Sequence, residues 1–156
     1  MKILLAVDGS ECSDVAVKEV VRRPWPAGSQ VKILSVIEPP FMPTTETWAL
    51  PETYFAQLEK AGQDQARDAI SKAVQKFHAR HEAPLEILTE AVSGYAKDVI
   101  LDEAERWGAD LIVVGSHGYR GFKRFLLGSV SQAVASHAKC SVEIARCRQA
   151  IKSKDQ

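Results

Sequence analysis

Short apolar runs alternate with longer amphipathic segments along the chain, and this alternation limits the possible folds more than any other feature. The apolar runs lie near residues 3–7, 31–37, 85–88, 111–114 and 142–144. Short runs of this kind are typical of strands that are covered on both faces. Strands separated by helices are joined by β-α-β crossovers. The sequence therefore predicts an α/β fold with a five-stranded parallel sheet and helices on both faces.

The size and charge of the chain restrict both its organisation and its partners. Its 156 residues fit one domain and leave little room for two. We expect a single domain over residues 1–147 and a frayed polar tail over residues 148–156. Lys+Arg and Asp+Glu both number 20, so the formal net charge is +0. Proteins that bind nucleic acid usually carry a basic excess, so nucleic acid is not an expected partner.

The cysteine pattern favours a reducing compartment. The chain has three cysteines, Cys12, Cys140 and Cys147, with no C-x-x-C spacing. This pattern predicts neither a disulfide framework nor a zinc ribbon, and nothing near Cys12 in the sequence marks it as a reactive thiolate. No apolar run reaches the ~18 residues that a membrane span needs. We therefore expect a cytoplasmic protein that does not bind membranes.

The residues that close the predicted strands are the first candidates for a binding site. Parallel sheets bind ligands beyond the carboxyl ends of their strands, where the strand order reverses. Asp8, Ile37 and Gly115 stand at the ends of the first, second and fourth strands. We therefore expect a ligand at this edge of the sheet.

A glycine-rich loop follows the fourth strand. Gly115-Ser116-His117-Gly118 leaves the strand, and nine residues separate it from Gly128-Ser129, which opens the next helix. Glycines let the backbone approach a ligand closely, and a helix N-terminus offers amides and a positive dipole end to an anion. The pattern matches neither a P-loop nor a dinucleotide fingerprint. The alternative interpretation is a tight turn followed by a helix start.

Several separate motifs resemble the universal stress protein family, and together they cover residues 1–147. The loop spacing resembles the family's ATP-binding signature, and Cys140–Ile144 stands at its Cys-Pro-Val segment. The other matching segments are Ala6-Val7-Asp8-Gly9-Ser10, Ser35-Val36-Ile37, Gly115-Ser116-His117-Gly118-Tyr119-Arg120-Gly121 and Gly128-Ser129-Val130-Ser131. Two positions depart from the family pattern: Ala6 and Ser141 each replace a common proline. Neither departure changes the glycine spacing.

The resemblance implies a strand order of 3-2-1-4-5, as in adenine nucleotide alpha hydrolase-like folds, and an ATP site across strands one and four. Ala6, Val7 and Asp8 would contact the adenosine, and the backbone of Val36 would bond the adenine. The residues expected at the ribose and phosphates are Gly115, Gly118, Gly128, Ser129 and Val130, with Val114 at the base of the loop. Mg²⁺ or Mn²⁺ is expected to bridge the phosphates.

The last strand predicts a homodimer. Val142 and Ile144 belong to a strand at the sheet edge, and an unpaired edge invites pairing with a second chain. The resemblance implies pairing through this strand about a two-fold axis.

The function that the resemblance implies is that of an ATP-binding, nucleotide-dependent stress-response or regulatory protein. Two alternatives stay open: a slow ATP hydrolase or ATP-dependent transferase, and an interaction module that binds no nucleotide. We predict no catalytic residue. Asp8 lacks the second carboxylate that a phosphoryl-accepting aspartate needs two residues on, because Ser10 stands there. His117 is expected to serve the architecture of the loop.

Three further segments have weaker interpretations. His78 and His81 lie at a helix end without other metal ligands. The basic residues Arg120, Lys123 and Arg124 either stay solvated or assist the phosphates. The proline-rich segment 38–52, with Phe41 and Trp48, is predicted to be mobile and close to the nucleotide or the dimer interface.

Overall fold

A computed structural model describes residues 1–39, 52–79, 85–118 and 127–147. These residues form five strands and four helices that alternate along the chain. The strands are β1 (Lys2–Ala6), β2 (Gln30–Ile37), β3 (Glu86–Ser93), β4 (Leu111–Gly115) and β5 (Ser141–Ala145). The helices are α1 (Glu11–Arg22), α2 (Glu52–His78), α3 (Ala96–Trp107) and α4 (Ser129–His137).

The strands form one parallel sheet in the order β3-β2-β1-β4-β5. This confirms both the α/β fold class and the strand order. The chain places β2 and β3 on one side of β1, and β4 and β5 on the other. The order therefore reverses between β1 and β4, and their carboxyl ends flank the crevice in which such sheets bind ligands.

The helices cover both faces of the sheet, as predicted. Ile3 and Leu5 of β1 belong to a core cluster with residues of α1 and α2. Leu4, between them, belongs to a second cluster with residues of α3 and α4. Successive strand residues point to opposite faces, so a strand buried on both sides needs apolar residues at every position. This explains the continuous apolar run that opens the chain.

Local signals fix the ends of two helices. Ser10 caps α1, since its hydroxyl accepts a hydrogen bond from Ser13 N at 3.2 Å. Gly108 ends α3 in the left-handed conformation with φ of 69°, which is unfavourable for other residues.

Cys12 and Cys147 form a disulfide, which corrects the expectation that the cysteines stay unpaired. Cys140 is free and half-buried. The two cysteines are 135 residues apart in the sequence. Their spacing alone does not reveal that they lie close together in the fold. The topology does, because α1 begins and β5 ends at the same edge of the sheet.

Several predicted features lie outside the described residues. They are Phe41 and Trp48 with most of the segment 38–52, His81, the basic residues Arg120, Lys123 and Arg124, and the tail 148–156. In the portions that the structure describes, no helix is both long and apolar enough to cross a membrane.

Candidate functional site

Three segments meet at the carboxyl ends of β1 and β4. They are residues 6–13, which lead from β1 into α1, residues 114–118, which leave β4, and residues 128–131, which open α4. Nine of the ten predicted site residues belong to these segments, and the tenth, Val36, lies in β2 next to β1.

Asp8 organises the turn between β1 and α1. Its Oδ1 accepts a hydrogen bond from Ser10 N at 2.9 Å, and its own N–H donates to Ser13 Oγ at 3.2 Å. From α2, the side-chain amide of Gln65 donates to the Asp8 carbonyl at 3.4 Å. The carboxylate is therefore held in a fixed place at the start of α1. Ala6 and Val7, which precede it, are half-buried and buried.

Gly115 lies directly against the first turn of α1. A Cβ at this position would lie 2.7 Å from both Cys12 C and Ser13 N. These are backbone atoms, which cannot move aside without moving the helix. The close approach of α1 to the end of β4 therefore requires a glycine here, next to the buried Val114.

Gly118 brings the loop to Asp8. A Cβ on Gly118 would lie 2.8 Å from Asp8 Oδ2. The loop is also connected to α1 through Ser10, whose hydroxyl donates to the His117 carbonyl at 3.4 Å. The residues after β4 and the residues after β1 therefore form one continuous surface.

The start of α4 packs on the same loop. Gly128 N–H donates to the Ser116 carbonyl at 2.8 Å, and Ser131 Oγ donates to the same carbonyl at 2.9 Å. The amide of Gly128 is thus engaged within the protein. The next two amides, of Ser129 and Val130, belong to the first helical turn, where an α-helix supplies no acceptor for them. Ser129 is exposed and Val130 is half-buried.

The backbone of Val36 faces the space beyond the end of β1. Val7 N–H donates to the Leu34 carbonyl at 2.8 Å, and Ala6–Leu34 is the last register pair between β1 and β2. Alternate residues of a parallel strand direct their backbone groups to the same side. The N–H and C=O of Val36 therefore point beyond the tip of β1, past the last paired residue.

The site offers amides and glycine surfaces more than reactive side chains. Amides and a helix N-terminus suit an anionic group such as a phosphate. His117 is half-buried and its Nδ1 lies 3.2 Å from Ser116 Oγ. Within the described ranges, no group of three or more His, Cys, Asp or Glu residues could hold a metal ion.

Sequence reasoning missed several residues that shape the site. Gln65 reaches Asp8 from α2, and Gly62 lets α2 approach β2 so closely that a Cβ would lie 3.1 Å from Ile37 Cγ2. A glycine in the middle of a long helix was the available signal for this approach. The sequence shows Ser116 and Ser131 as ordinary serines of a loop and a helix. In the structure, the hydrogen bond between them joins the loop to α4.

A separate pocket lies at the opposite end of the strands, where α3 and α4 end. Its lining includes Glu105, His137 and Cys140. It contains none of the predicted site residues and lies at the amino ends of β4 and β5, away from the edge where parallel sheets bind ligands. We assign no function to it.

A five-stranded sheet of this order, with a glycine loop and a helix start at its switch point, defines the class of adenine nucleotide alpha hydrolase-like folds. Within that class, the chain belongs to the universal stress protein family, whose family model matches residues 1–146. Membership confirms the resemblance found in the sequence.

The chain is similar over nearly its whole length to proteins of this family. It is 30% identical to a universal stress protein of Methanocaldococcus jannaschii, covering 93% of this chain and 81% of the relative. Its structure resembles that of UspA from Lactobacillus plantarum with a TM-score of 0.79 and 26% identity, covering 94% and 97% of the two chains. A family protein from Arabidopsis thaliana, solved with AMP bound, has the same fold with a TM-score of 0.67 and 19% identity, covering 96% and 93%.

Proposed function

We propose that this chain binds ATP at the carboxyl ends of β1 and β4 and acts as a nucleotide-dependent stress-response or regulatory protein. The observation that carries the proposal is the packing of α4 on the loop after β4, through the 2.8 Å hydrogen bond from Gly128 N to Ser116 O. This packing sets the first amides of α4 beside a loop that also adjoins Asp8. Anion donors and a carboxylate then flank one crevice, an arrangement that suits the phosphates and the ribose hydroxyls of a nucleotide.

The adenosine half of the ligand would lie on the β1 and β2 side of the crevice. The backbone of Val36 would bond the adenine edge, and Ala6 and Val7 would contact the ring or ribose. Asp8 would accept a hydrogen bond from a ribose hydroxyl, since its carboxylate is held at the start of α1. The Arabidopsis protein of the same fold, solved with AMP bound, supports an adenine nucleotide as the ligand.

The phosphates would lie between the glycine loop and α4. Backbone amides of Ser129 and Val130 would donate to phosphate oxygens, with the positive end of the α4 dipole adding to the attraction. Gly115 and Gly128 let α1 and α4 pack closely against the loop that would line this space, and Gly118 leaves the Asp8 carboxylate in place. A Mg²⁺ or Mn²⁺ ion taken up with ATP would reduce the mutual repulsion of the phosphates.

The proposal extends to organisation and location. Residues 1–147 would form one domain that pairs with a second copy along β5, which lies at the edge of the described sheet. Val142 and Ile144 would belong to this interface. The protein would act in the cytoplasm, with neither nucleic acid nor a membrane as partner.

Release of bound nucleotide from purified protein tests the proposal. The protein is denatured after gel filtration, and the supernatant is analysed by chromatography and mass spectrometry. We expect ATP, or AMP and ADP derived from it, in the wild-type sample and a large reduction in a Gly128→Val sample. Wild-type protein that releases no nucleotide, and takes up none when incubated with ATP and Mg²⁺, would favour the interaction module instead.

A further inference from the structure

The disulfide between Cys12 and Cys147 lies next to the loop after β4, which the proposed function assigns to the phosphates. Cys12 is in the first turn of α1, and Cys147 follows the end of β5 by two residues. Their Cα atoms are 4.9 Å apart, a separation that a disulfide accommodates. The bond therefore ties the end of the last strand to the helix against which the loop packs.

Ser116 joins this disulfide to the loop. Its hydroxyl donates to Cys12 Sγ at 3.6 Å, and its N–H donates to the Ala145 carbonyl at 2.8 Å. Ser116 is 3% exposed and thus enclosed between the two chain segments that the disulfide connects. Its carbonyl, in turn, accepts the hydrogen bond from Gly128 N that positions α4.

We propose that Cys12 and Cys147 form a reversible redox site that controls the nucleotide affinity of the loop. The disulfide form holds Ser116 and therefore the start of α4 in place, and the dithiol form releases them. The inference rests on the proposed ATP site, and its partner is a low-molecular-weight thiol and its disulfide, such as glutathione.

The chemistry is thiol–disulfide exchange in two steps. A small-molecule thiolate attacks Cys147 Sγ, the S–S bond breaks, and Cys12 leaves as a thiolate that takes up a proton. Cys147 is the more accessible partner, since it is half-buried and Cys12 is only 5% exposed. A second small-molecule thiolate attacks the mixed disulfide and releases Cys147, which also takes up a proton. Two small thiols are oxidised to one disulfide, the protein disulfide is reduced by two electrons, and oxidation reverses both steps.

Reduction loosens the loop because β5 is a five-residue strand at the edge of the described sheet, where it pairs with β4 on one side. A short edge strand has few backbone contacts that resist local opening. When the bond to Cys12 is broken, the segment Ala145–Cys147 is held only by its sheet and packing contacts. Ser116 then loses its fixed acceptor at Ala145. The loop after β4 and the start of α4, which Ser116 holds together, are no longer preorganised for phosphates.

The test compares the full chain in its oxidised and reduced forms. Alkylation and peptide mass spectrometry define which cysteines are paired after equilibration with glutathione buffers. Hydrogen exchange then measures the backbone amides of Ser116 and Gly128, and calorimetry measures ATP binding with Mg²⁺. We expect faster exchange at both amides in the reduced form and an affinity for ATP that is lower by about fivefold or more, the low end of coupling between sites.

Two variants serve as matched comparisons. Cys147→Ser should behave like the reduced wild type and should not respond to reductant. Cys140→Ser, which removes the free cysteine, should keep the full redox response. These two results together assign the response to the Cys12–Cys147 pair.

The outcomes separate the redox inference from the proposed function. Equal ATP affinity and equal exchange rates in both redox states would overturn the redox inference and leave the ATP site standing. No ATP binding in either state would overturn both the site and its redox control. Failure of Cys12 and Cys147 to pair under oxidising glutathione would overturn the redox inference directly.

Discussion

Gly118 and the Asp8 side chain lie so close together that a side chain at position 118 would contact the Asp8 carboxylate. The carboxylate of Asp8 accepts the Ser10 amide at 2.9 Å, and a Cβ on Gly118 would lie 2.8 Å from its other oxygen. A substitution at Gly118 must therefore move the Asp8 side chain. The turn and the loop would still form, because the atom displaced belongs to a side chain.

Gly118→Ala should weaken ATP binding with little loss of stability. We expect the affinity to fall by about tenfold, which corresponds to about 1.4 kcal/mol, because the substitution would displace Asp8 from its proposed contact with the ribose. Calorimetric titration with ATP and Mg²⁺ measures this change.

Gly28→Ala provides the matched control. Gly28 has φ of 77°, and a Cβ there would meet no heavy atom within 4 Å, so alanine should cost about 1 kcal/mol of stability through backbone strain alone. ATP affinity should not change in this variant. If Gly118→Ala binds ATP as tightly as the wild type does, the interpretation of Gly118 is wrong.

At the scale of helices and strands, the sequence predicted best the strands that are buried on both faces. The runs that became β1 and β4 are apolar at successive positions, because helices cover both of their faces. β3 extends over Glu86–Ser93, beyond the predicted run, because it is an edge strand with alternate exposed residues such as Thr89 and Ala91. A pattern based on continuous apolar runs does not detect such a half-exposed strand.

An ionic network around the buried carboxylate of Glu103 joins β2 and β3 to α3. Lys32 Nζ donates to Glu103 at 2.6 Å and to Glu90 at 3.2 Å, and Arg106 Nε donates to Glu103 at 2.8 Å. Burial alone raises the pKa of Glu103, but its hydrogen bonds with Lys32 and Arg106 outweigh burial and hold this pKa below its ordinary value. The charged form of Glu103 therefore stabilises the fold.

Glu103→Gln should reduce the pH dependence of the free energy of unfolding at acidic pH. The folded pKa lies below the unfolded value of about 4.3, so the contribution of Glu103 is complete above that pH and is lost as the pH falls through the folded pKa. We expect a loss of about 1.5–3 kcal/mol near neutral pH. The difference from the wild type should shrink below about pH 4.

Urea unfolding at neutral and acidic pH measures this difference. Glu105→Gln is the matched control, because Glu105 lies on the same helix with its side chain 62% exposed and paired with Lys139. Its effect should stay within about 0.5 kcal/mol at either pH. A difference between Glu103→Gln and wild type that does not change with pH would contradict the role of the charged form.

At the scale of the whole molecule, the residues that meet at the candidate site could be predicted because the strand order that the family resemblance implied is the order observed. A parallel α/β chain brings the ends of β1 and β4 together, so Asp8 and Gly115 were identifiable from their positions alone. The contacts of Gln65 and the Cys12–Cys147 pair were not, because they depend on how α2 and the end of β5 pack in space.

The proposed dimer can be tested at the outer edge of β5. Ala145 directs its carbonyl toward the β4 side, where it accepts Ser116 N. The alternate residues Val142 and Ile144 therefore direct their backbone groups outward. Both side chains pack against the α3 and α4 core cluster, so a charged residue there would damage the fold as well as the edge.

Val142→Pro should weaken the dimer while keeping the core side of the strand apolar. It removes one outward N–H, and proline is tolerated on edge strands. We expect light scattering at micromolar concentration to detect a dimer for wild type and for Val142→Thr, and a shift toward monomer for Val142→Pro. A wild-type protein that is monomeric at this concentration would contradict the dimer.

The proposed regulatory role predicts slow turnover of ATP. With backbone amides as the main phosphate donors, the proposed site should bind the ground state about as well as the transition state, and uniform binding does not raise kcat. We expect a hydrolysis rate below the ~1 s⁻¹ that marks the low end of typical enzymes. Release of ADP under multiple turnover measures it. A faster rate that a single side-chain substitution abolishes would place the protein among the enzymes instead.

The most direct test of the ATP site is a calorimetric titration of wild type, Gly128→Val and Ser129→Ala with ATP and Mg²⁺. A Cβ on Gly128 would lie 3.3 Å from Ser116 O and 3.4 Å from His117 Cα, so valine should separate α4 from the loop and remove several phosphate contacts together. We expect the affinity of Gly128→Val to fall by more than about 100-fold, and that of Ser129→Ala by about tenfold or less, since its amide remains. Circular dichroism should confirm that both variants are folded. Equal affinity for wild type and folded Gly128→Val would contradict the site.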